Sequence, residues 1–287
     1  MKKILIAGAN GQLGLELHKN LINKYDLVLM SRTNLDITDF NVTCNTINAI
    51  KPEIIINCAA YTAVDLCEKH QEEAYNANAI GPRNLAIAAN QIGAKLVHIS
   101  TDYVFDGEGN RDKNNKLRPY YETDKTNPQS IYGKTKLAGE QFVIENMDKF
   151  FIIRTAWLYG EGKNFVQTMI HLSKANKEVK VVNDQFGSPT STLELSNMIE
   201  ELMLTEEYGI YHGTCEGVCS WYDLTREIYN IMNIKTKVIP VTTDEFPRPA
   251  KRPKYSVLEN KKLKESGLYE FKSWSEALKI FLDKENI

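Results

Sequence analysis

The sequence predicts an α/β fold: a doubly wound parallel sheet with a smaller, discontinuous C-terminal lobe. Three observations predict it. Short, uniformly apolar, β-rich runs recur from Lys3 to His212 without polar alternation. Stretches with helical spacing separate most of them. The first run feeds directly into a glycine-rich turn and a helix. Strands apolar on both sides and alternating with helices read as a parallel sheet covered on both faces.

Composition sets the bounds. The 287 residues suffice for one large α/β unit or two modest lobes. Hydrophobic residues make up 43% and charged residues 25%, an ordinary globular balance. The formal net charge is −2, and basic runs stop at pairs such as Lys2–Lys3 and Lys261–Lys262, so neither nucleic acid nor an anionic membrane is expected as a partner. A strand and glycine loop at the start do not read as a signal peptide, and no apolar run is long enough to cross a bilayer. Five irregularly spaced cysteines suit reduced thiols, and the expected location is cytoplasmic. The five histidines lack ligand spacing, so no metal is predicted.

Lys3-Ile4-Leu5-Ile6-Ala7 reads as the first strand. It runs into Gly8-Ala9-Asn10-Gly11-Gln12-Leu13-Gly14, and a helix follows from Leu15 to Ile22. Strand, tight glycine turn and helix N-terminus together make an anion site, because backbone N–H groups and the helix dipole face a pyrophosphate. This is the Rossmann-like arrangement, although the G-x-x-G-x-x-G spacing departs by one residue from the usual dinucleotide fingerprint. Leu27–Met30 is the second strand and ends at Ser31-Arg32. An acidic residue there would hold a ribose 2′-OH, whereas Arg32 suits a 2′-phosphate, which favours NADPH and leaves NADH open. Asp36 and Ile37 would border the adenine.

Ile54–Cys58 is a third buried run. The small residues Ala59 and Ala60, with Thr62 in the loop beyond, leave room for a ligand across the sheet edge. A helix from about Glu72 to Ile92 carries Asn78. Leu96–Ser100 delivers Thr101-Asp102-Tyr103-Val104-Phe105 to the same rim, and Asn78 and Ser100 join the candidate cofactor contacts. Gly107–Asp124 is polar and aperiodic, so a mobile loop is expected. Phe150–Arg154 is the next strand, followed by the aromatic cluster Thr155–Gly160. Val179–Val182 leaves the sheet, Leu193–Leu204 has helical spacing, and Gly209–His212 reads as a last strand. Trp221–Met232 reads as an amphipathic helix and Val238–Pro240 as a short strand. Residues 1–160 and about 190–214 would then form the nucleotide-binding part, and about 161–189 with 215–287 the second lobe. Arg248, Arg252 and Lys254 lie in a proline-broken loop suited to a sugar diphosphate or simply to water.

Tyr132 and Lys136 concentrate the chemistry. In a helix opened by Pro128 and capped by Ser130, their spacing puts both side chains on one face, a turn apart. An unaided phenol titrates near ~10 and donates poorly at neutrality. A nearby ammonium would lower that pKa and make Tyr132 a usable acid or base.

The glycine loop, Ser100-Thr101-Asp102-Tyr103-Val104-Phe105-Asp106-Gly107, Tyr132-Gly133-Lys134-Thr135-Lys136 and Arg154-Thr155-Ala156-Trp157-Leu158-Tyr159-Gly160 resemble the extended short-chain dehydrogenase/reductases. Within them the likeness is to the dTDP-4-dehydrorhamnose reductases, and it covers nearly the whole chain, including Val182–Thr190 and Ala250–Ser256. The resemblance implies Tyr132 as proton donor, Lys136 as its electrostatic partner and ribose contact, and Thr101 as a hydrogen-bonding partner of the reacting carbonyl. It implies that Gly8, Gly11, Gln12 and Gly14 hold the cofactor phosphates, while Ala59, Ala60 and Thr62 line the groove. Trp157 would sit against the sugar or nicotinamide, and Asn164 would face the diphosphate. Tyr103 and Arg252 complete the expected contacts to a dTDP-sugar substrate. Some relatives are associated with a magnesium-bridged dimer, and Glu16 and Glu194 are available carboxylates. No metal is predicted, and the expected state is a monomer or homodimer. A dehydratase would carry Thr-Asp-Glu where this chain reads Thr101-Asp102-Tyr103, so elimination is disfavoured. An epimerase stays open, as does a catalytically silent cofactor-binding subunit, against which Thr101, Tyr132 and Lys136 together argue.

Overall fold

A computed structural model describes residues 1–284; positions 285–287, the end of the expected second lobe, lie outside the described residues. Eight principal strands are β1 (Lys3–Ala7), β2 (Asp26–Met30), β3 (Ile54–Asn57), β4 (Lys95–Thr101), β5 (Phe150–Thr155), β6 (Glu178–Val182), β7 (Gly209–His212) and β8 (Lys237–Val241). Six of them form one parallel sheet in the order β7-β5-β4-β3-β1-β2. The chain adds β2 on one side of β1 and then crosses to place β3 on the other. The carboxyl ends of β1 and β3 therefore flank the point where strand order reverses, which is where ligands of open α/β sheets bind.

Two cores explain the uniformly apolar strands. Ile4 and Ile6 face one core with Ile54, Ile56, Val97, Phe151 and Ile153. Leu5 and Ala7 face the other with Ile55, Leu96 and Ile152. Alternate residues of each strand thus go to opposite faces, and both faces are dry. On the first face lie α1 (Gln12–Leu21) and α6 (Thr192–Leu202), through Leu13, Leu17, Leu195 and Ile199. On the second lie α2 (Phe40–Ile50), α3 (Gly81–Ile92) and α4 (Ile131–Asn146), through Ile47, Leu85, Ala89 and Val143. The sheet is doubly wound, as the sequence predicts.

A third core lies beside the sheet. Strands β6 and β8 pair in parallel, with Val179 opposite Val238 and Val181 opposite Pro240. Against them pack α5 (Phe165–Ala175), α7 (Trp221–Ile231) and α8 (Trp274–Lys284), through Val166, Ile170, Leu224, Ile228 and Leu278. Helix α7 opens with a reciprocal cap: Ser220 Oγ accepts the Asp223 amide at 3.0 Å and Asp223 accepts the Ser220 amide at 3.0 Å. Such caps contribute roughly 0.5–2 kcal/mol.

Two regions differ from the sequence expectation. The helix expected over 72–92 contains a π-helical turn, Asn76–Ile80, between Gln71–Tyr75 and α3. Here Asn78 is fully buried and its amide bonds both the N–H and the C=O of Tyr61, at 2.7 and 3.1 Å, and Thr135 of α4 at 3.1 Å. The widened turn lets one side chain tie a loop to a neighbouring helix. The expected mobile loop 107–124 is instead pinned. Asn110–Arg111 and Leu117–Arg118 form an antiparallel hairpin, and Arg118 grips Asp124 through two bonds of 2.7 and 2.8 Å. Its ends are held by backbone bonds from Tyr255 to Gly107 and from Tyr120 to Val257. Each of these partners is remote in sequence or polar, so hydropathy did not signal them. Among the described residues, no helix is long and apolar enough to cross a membrane.

Candidate active site

The glycine turn is built by exclusion of side chains. Gly8 has φ +77°, and a Cβ there would lie 2.6 Å from the Ala59 nitrogen. A Cβ on Gly14 would lie 2.5 Å from the Gly8 oxygen. These two glycines let the turn press onto the end of β3 and let α1 start against β1. Gly11 is different, since its Cβ would meet only the Gly8 oxygen, at 3.4 Å. It is the N-cap of α1, has no side-chain cap, and leaves the first amides of the helix facing a cleft. Gln12 also faces that cleft, with its Oε1 buried and without a partner. Open helix amides and bare backbone fit a dinucleotide pyrophosphate.

The cleft has a volume of about 1000 Å³ and runs from this turn to the lobe of β6 and α7. Asn10, Gly11, Gln12, Leu13 and Gly14 line its floor, and Ala60 and Thr62 its wall beyond β3. Ser100, Thr101 and Tyr103 enter from the end of β4, and Tyr132 and Lys136 from α4. Trp157 and Arg252 close the far side.

Helix α4 reaches this position because Ser130 caps it, accepting the Gly133 amide at 3.1 Å. Gly133 lets it sit against the turn after β4, where a Cβ would lie 2.2 Å from the Tyr103 oxygen. The rings of Tyr103 and Tyr132 then meet edge to face, 5.4 Å apart. Thr101 hydrogen-bonds the Asp102 carboxylate at 2.8 Å and stands within hydrogen-bonding reach of the Tyr132 hydroxyl. Lys136 is 2% exposed, and its Nζ donates to the Ile99 carbonyl at 2.6 Å.

The electrostatics differ from the sequence expectation. Burial pushes the Tyr132 phenol up, and the Asp102 carboxylate adds to it, while the bond with Thr101 pulls the other way. The ammonium gives up ground instead: burial brings Lys136 down to about 8, opposed by Glu140 and Cys58. Asp102 is raised to about 6, again chiefly by burial. Sequence spacing places the two groups on one face but carries no information on how dry that face is. The result is a firmly protonated phenol beside a cation close to its titration.

Several expected contacts are absent from the cleft lining or already have partners within the chain. Asn78 is occupied at Tyr61 and Thr135 and does not reach the cleft. Asn164 caps α5, accepting the Gln167 amide at 3.0 Å and donating to the Gly160 carbonyl at 2.6 Å. Gly8 and Ala59 press on each other behind the cleft wall. Ser31 hydrogen-bonds Thr33 at 2.8 Å, and Arg32 is exposed at the end of β2. Asp36 accepts the Thr38 hydroxyl and amide, which holds its carboxyl below the usual range. Ile37 is buried against Gly81. Arg252 does line the cleft, yet it already pairs with Asp65 at 2.9 Å and with the Tyr103 hydroxyl at 3.1 Å.

Other lining residues escaped the sequence reading. Trp221 stacks on Trp157 with rings 3.4 Å apart and 5° from parallel. It is the first residue of a stretch that the sequence shows only as an amphipathic helix. Lys163 and Lys180 reach the cleft from segments without a motif. Among the described residues no group of three or more His, Cys, Asp or Glu converges as a metal site. Glu194 is engaged by Tyr269 and Lys272.

Comparison with known proteins agrees with this geometry. The family described as RmlD substrate binding domain matches residues 1–287. A dTDP-4-dehydrorhamnose reductase of Streptomyces griseus is 41% identical, covering 96% of this chain and 91% of that protein. The crystal structure of a dTDP-4-dehydrorhamnose reductase from Clostridium acetobutylicum superimposes with a TM-score of 0.96 at 51% identity, covering 99% of this chain and 100% of the other. One from Bacillus anthracis, in complex with NADP, gives 0.94 at 45% identity, with the same coverage. With its glycine turn, its Tyr132–Lys136 helix and likeness along its whole length, the chain belongs to the RmlD family of dTDP-4-dehydrorhamnose reductases.

Proposed function

We propose that this protein reduces the C4 ketone of dTDP-4-dehydro-L-rhamnose to dTDP-L-rhamnose, a deoxysugar precursor for polysaccharide, with NADPH as reductant and NADH as the alternative. The observation that carries the reading is the meeting, in one cleft, of the Gly11–Gly14 anion cradle with Tyr132, Lys136 and Thr101. The relatives' names and the NADP complex of the Bacillus anthracis protein support it.

When bound, the cofactor supplies the hydride equivalent; the chain supplies alignment and a proton. The amides at the start of α1 hold the pyrophosphate, and exposed Arg32 takes a ribose 2′-phosphate. Tyr132 gives its proton to the ketone oxygen as negative charge develops there. Its raised pKa keeps that proton in place until the oxygen becomes basic enough to accept it. Thr101, fixed by Asp102, orients the phenol, and Lys136 stabilises the phenolate left behind. Trp157 on Trp221 offers a flat face to the sugar, and Arg252 offers a cation to the diphosphate. In this reading residues 1–160 and about 190–214 hold the cofactor, while about 161–189 and 215–287 hold the sugar nucleotide. The protein works in the cytoplasm as a monomer or homodimer.

Purified protein given this ketone should consume one NADPH per sugar reduced. Turnover without net cofactor consumption would mark an epimerase, and cofactor binding with no turnover of any 4-keto sugar would mark a non-catalytic subunit.

A further inference from the structure

Helix α4 carries a third side chain in line with Tyr132 and Lys136. Glu140 lies one further turn along the same face and is 1% exposed. The last residues of β4 touch this row in succession. The Ile99 carbonyl accepts Lys136, the Ser100 hydroxyl donates to Glu140 Oε1 at 2.5 Å, and Thr101 follows toward Tyr132. Across the sheet from Ser100, in register on β5, stands Arg154. It grips Glu140 through Nη2 to Oε2 at 2.7 Å and Nε to Oε1 at 3.0 Å, and it is 3% exposed.

An ion pair this dry contributes little to stability compared with apolar packing, because desolvation offsets the attraction. Its position suggests another use. The groups facing Lys136 come from three strands and its own helix. Cys58, beyond β3, is pushed to about 12 and stays a thiol. His98 on β4 is held well below its ordinary value, by burial first and then by Lys136, and stays neutral. Tyr132 stays a phenol. Arg154 on β5 adds a positive charge behind Glu140. Of these groups Glu140, gripped by a guanidinium through both oxygens, supplies the negative charge.

We infer that Glu140 is a positioning residue of the reaction: it is the counter-charge that keeps Lys136 an ammonium inside a dry cleft, and Ser100 and Arg154 hold it there. The inference rests on the reductase reading, since it gives Glu140 a task only if the charge on Lys136 matters to turnover. The sign follows directly. Burial disfavours the ammonium and a neighbouring carboxylate favours it, so removal of Glu140 lets Lys136 lose its proton at lower pH.

The test is the pH dependence of kcat/KM in the wild type and in Glu140→Gln, alongside titration of the ¹³Cε resonance of Lys136, assigned by its loss in Lys136→Met. The wild-type rate should fall as pH rises through about 8, where burial, opposed by Glu140 and Cys58, leaves Lys136. In Glu140→Gln both the alkaline limb and the resonance midpoint should move down by about 1 pH unit, the low end of the effect of a nearby opposite charge, because Arg154 shares the carboxylate. Glu140→Asp should return part of the shift. Because Glu140→Gln leaves Arg154 buried and unpaired, Glu140→Gln/Arg154→Met is measured as well. It removes the stranded cation and should still titrate below the wild type. Rates that fall equally at every pH, with the midpoint unmoved in a folded variant, would overturn the inference and leave Glu140 a packing residue. A wild type inactive on the ketone defeats the reductase reading instead, and the Lys136 resonance then decides the Glu140 question alone.

Discussion

Two arginine–carboxylate pairs stand near the candidate site, one sealed beneath α4 and one partly exposed. Arg154–Glu140 lies between α4 and the sheet, with side chains 3% and 1% exposed. Arg252–Asp65 lies at the mouth, 20% and 28% exposed. Between α4 and the sheet, both Glu140 oxygens are claimed by Arg154 and Ser100, so the pair cannot exchange partners without stranding a charge. At the mouth, Arg252 also holds the Tyr103 hydroxyl, and Asp65 also holds the Ala250 amide at 3.2 Å, so the segment after β8 is clasped to the short helix Val64–Cys67 beyond β3. Water reaches this clasp, and an incoming diphosphate can compete for Arg252. The inner pair fixes geometry, whereas the outer one can be traded for a ligand.

Substitutions can break or sharpen this contrast. The largest kinetic effect belongs to the inner side: Tyr132→Phe should bind NADPH normally, by fluorescence titration, and lose turnover by roughly 10²–10⁴-fold, the worth of a positioned acid. A near-normal rate would remove Tyr132 from that role. Arg154→Ala should cost about 3–5 kcal/mol in denaturant unfolding, because Glu140 is left buried and unpaired. Arg252→Ala should change unfolding free energy by no more than about 1 kcal/mol, as partly exposed pairs do. Its effect should appear in binding: KM for the sugar nucleotide should rise about tenfold, in keeping with one lost charge-assisted hydrogen bond, while kcat holds. Equal stability losses in the two arginine variants would erase the distinction. The smallest effect is expected outside both pairs, at exposed Arg32. Arg32→Ala should raise KM for NADPH by no more than about fivefold and leave KM for NADH unchanged.

What the sequence revealed depended on how local the physics was. Gly8 and Gly14 are legible because the lack of room for a Cβ is settled within a few residues and by the next strand. Tyr132 and Lys136 are legible because helical spacing alone puts them on one face. The direction of the Tyr132 shift was not, since it depends on burial and on Lys136 bonding to Ile99 of another element. Asn78 and Asn164 have side chains suited to a ligand, yet each is consumed by backbone groups at a turn or a cap, and only the folded neighbourhood reveals such demands. The clasp of Arg252 on Asp65 joins segments from opposite ends of the chain, so no window of sequence contains it.

Helix α4 has one more consequence, for anyone wishing to make the protein more heat-resistant. Replacing glycines inside helices by alanine is a common recipe, because glycine costs about 1 kcal/mol there relative to alanine. In α4 the recipe should be withheld. A methyl group on residue 139 would lie 2.2 Å from the Asn78 oxygen, and one on residue 133 equally close to the Tyr103 oxygen. Both added methyls would pry the helix off backbone that cannot yield cheaply, and Tyr132 and Lys136 would move with it. The looseness these two glycines bring to the unfolded chain is the toll for an intimate fit, so thermal hardening belongs on surfaces remote from this contact.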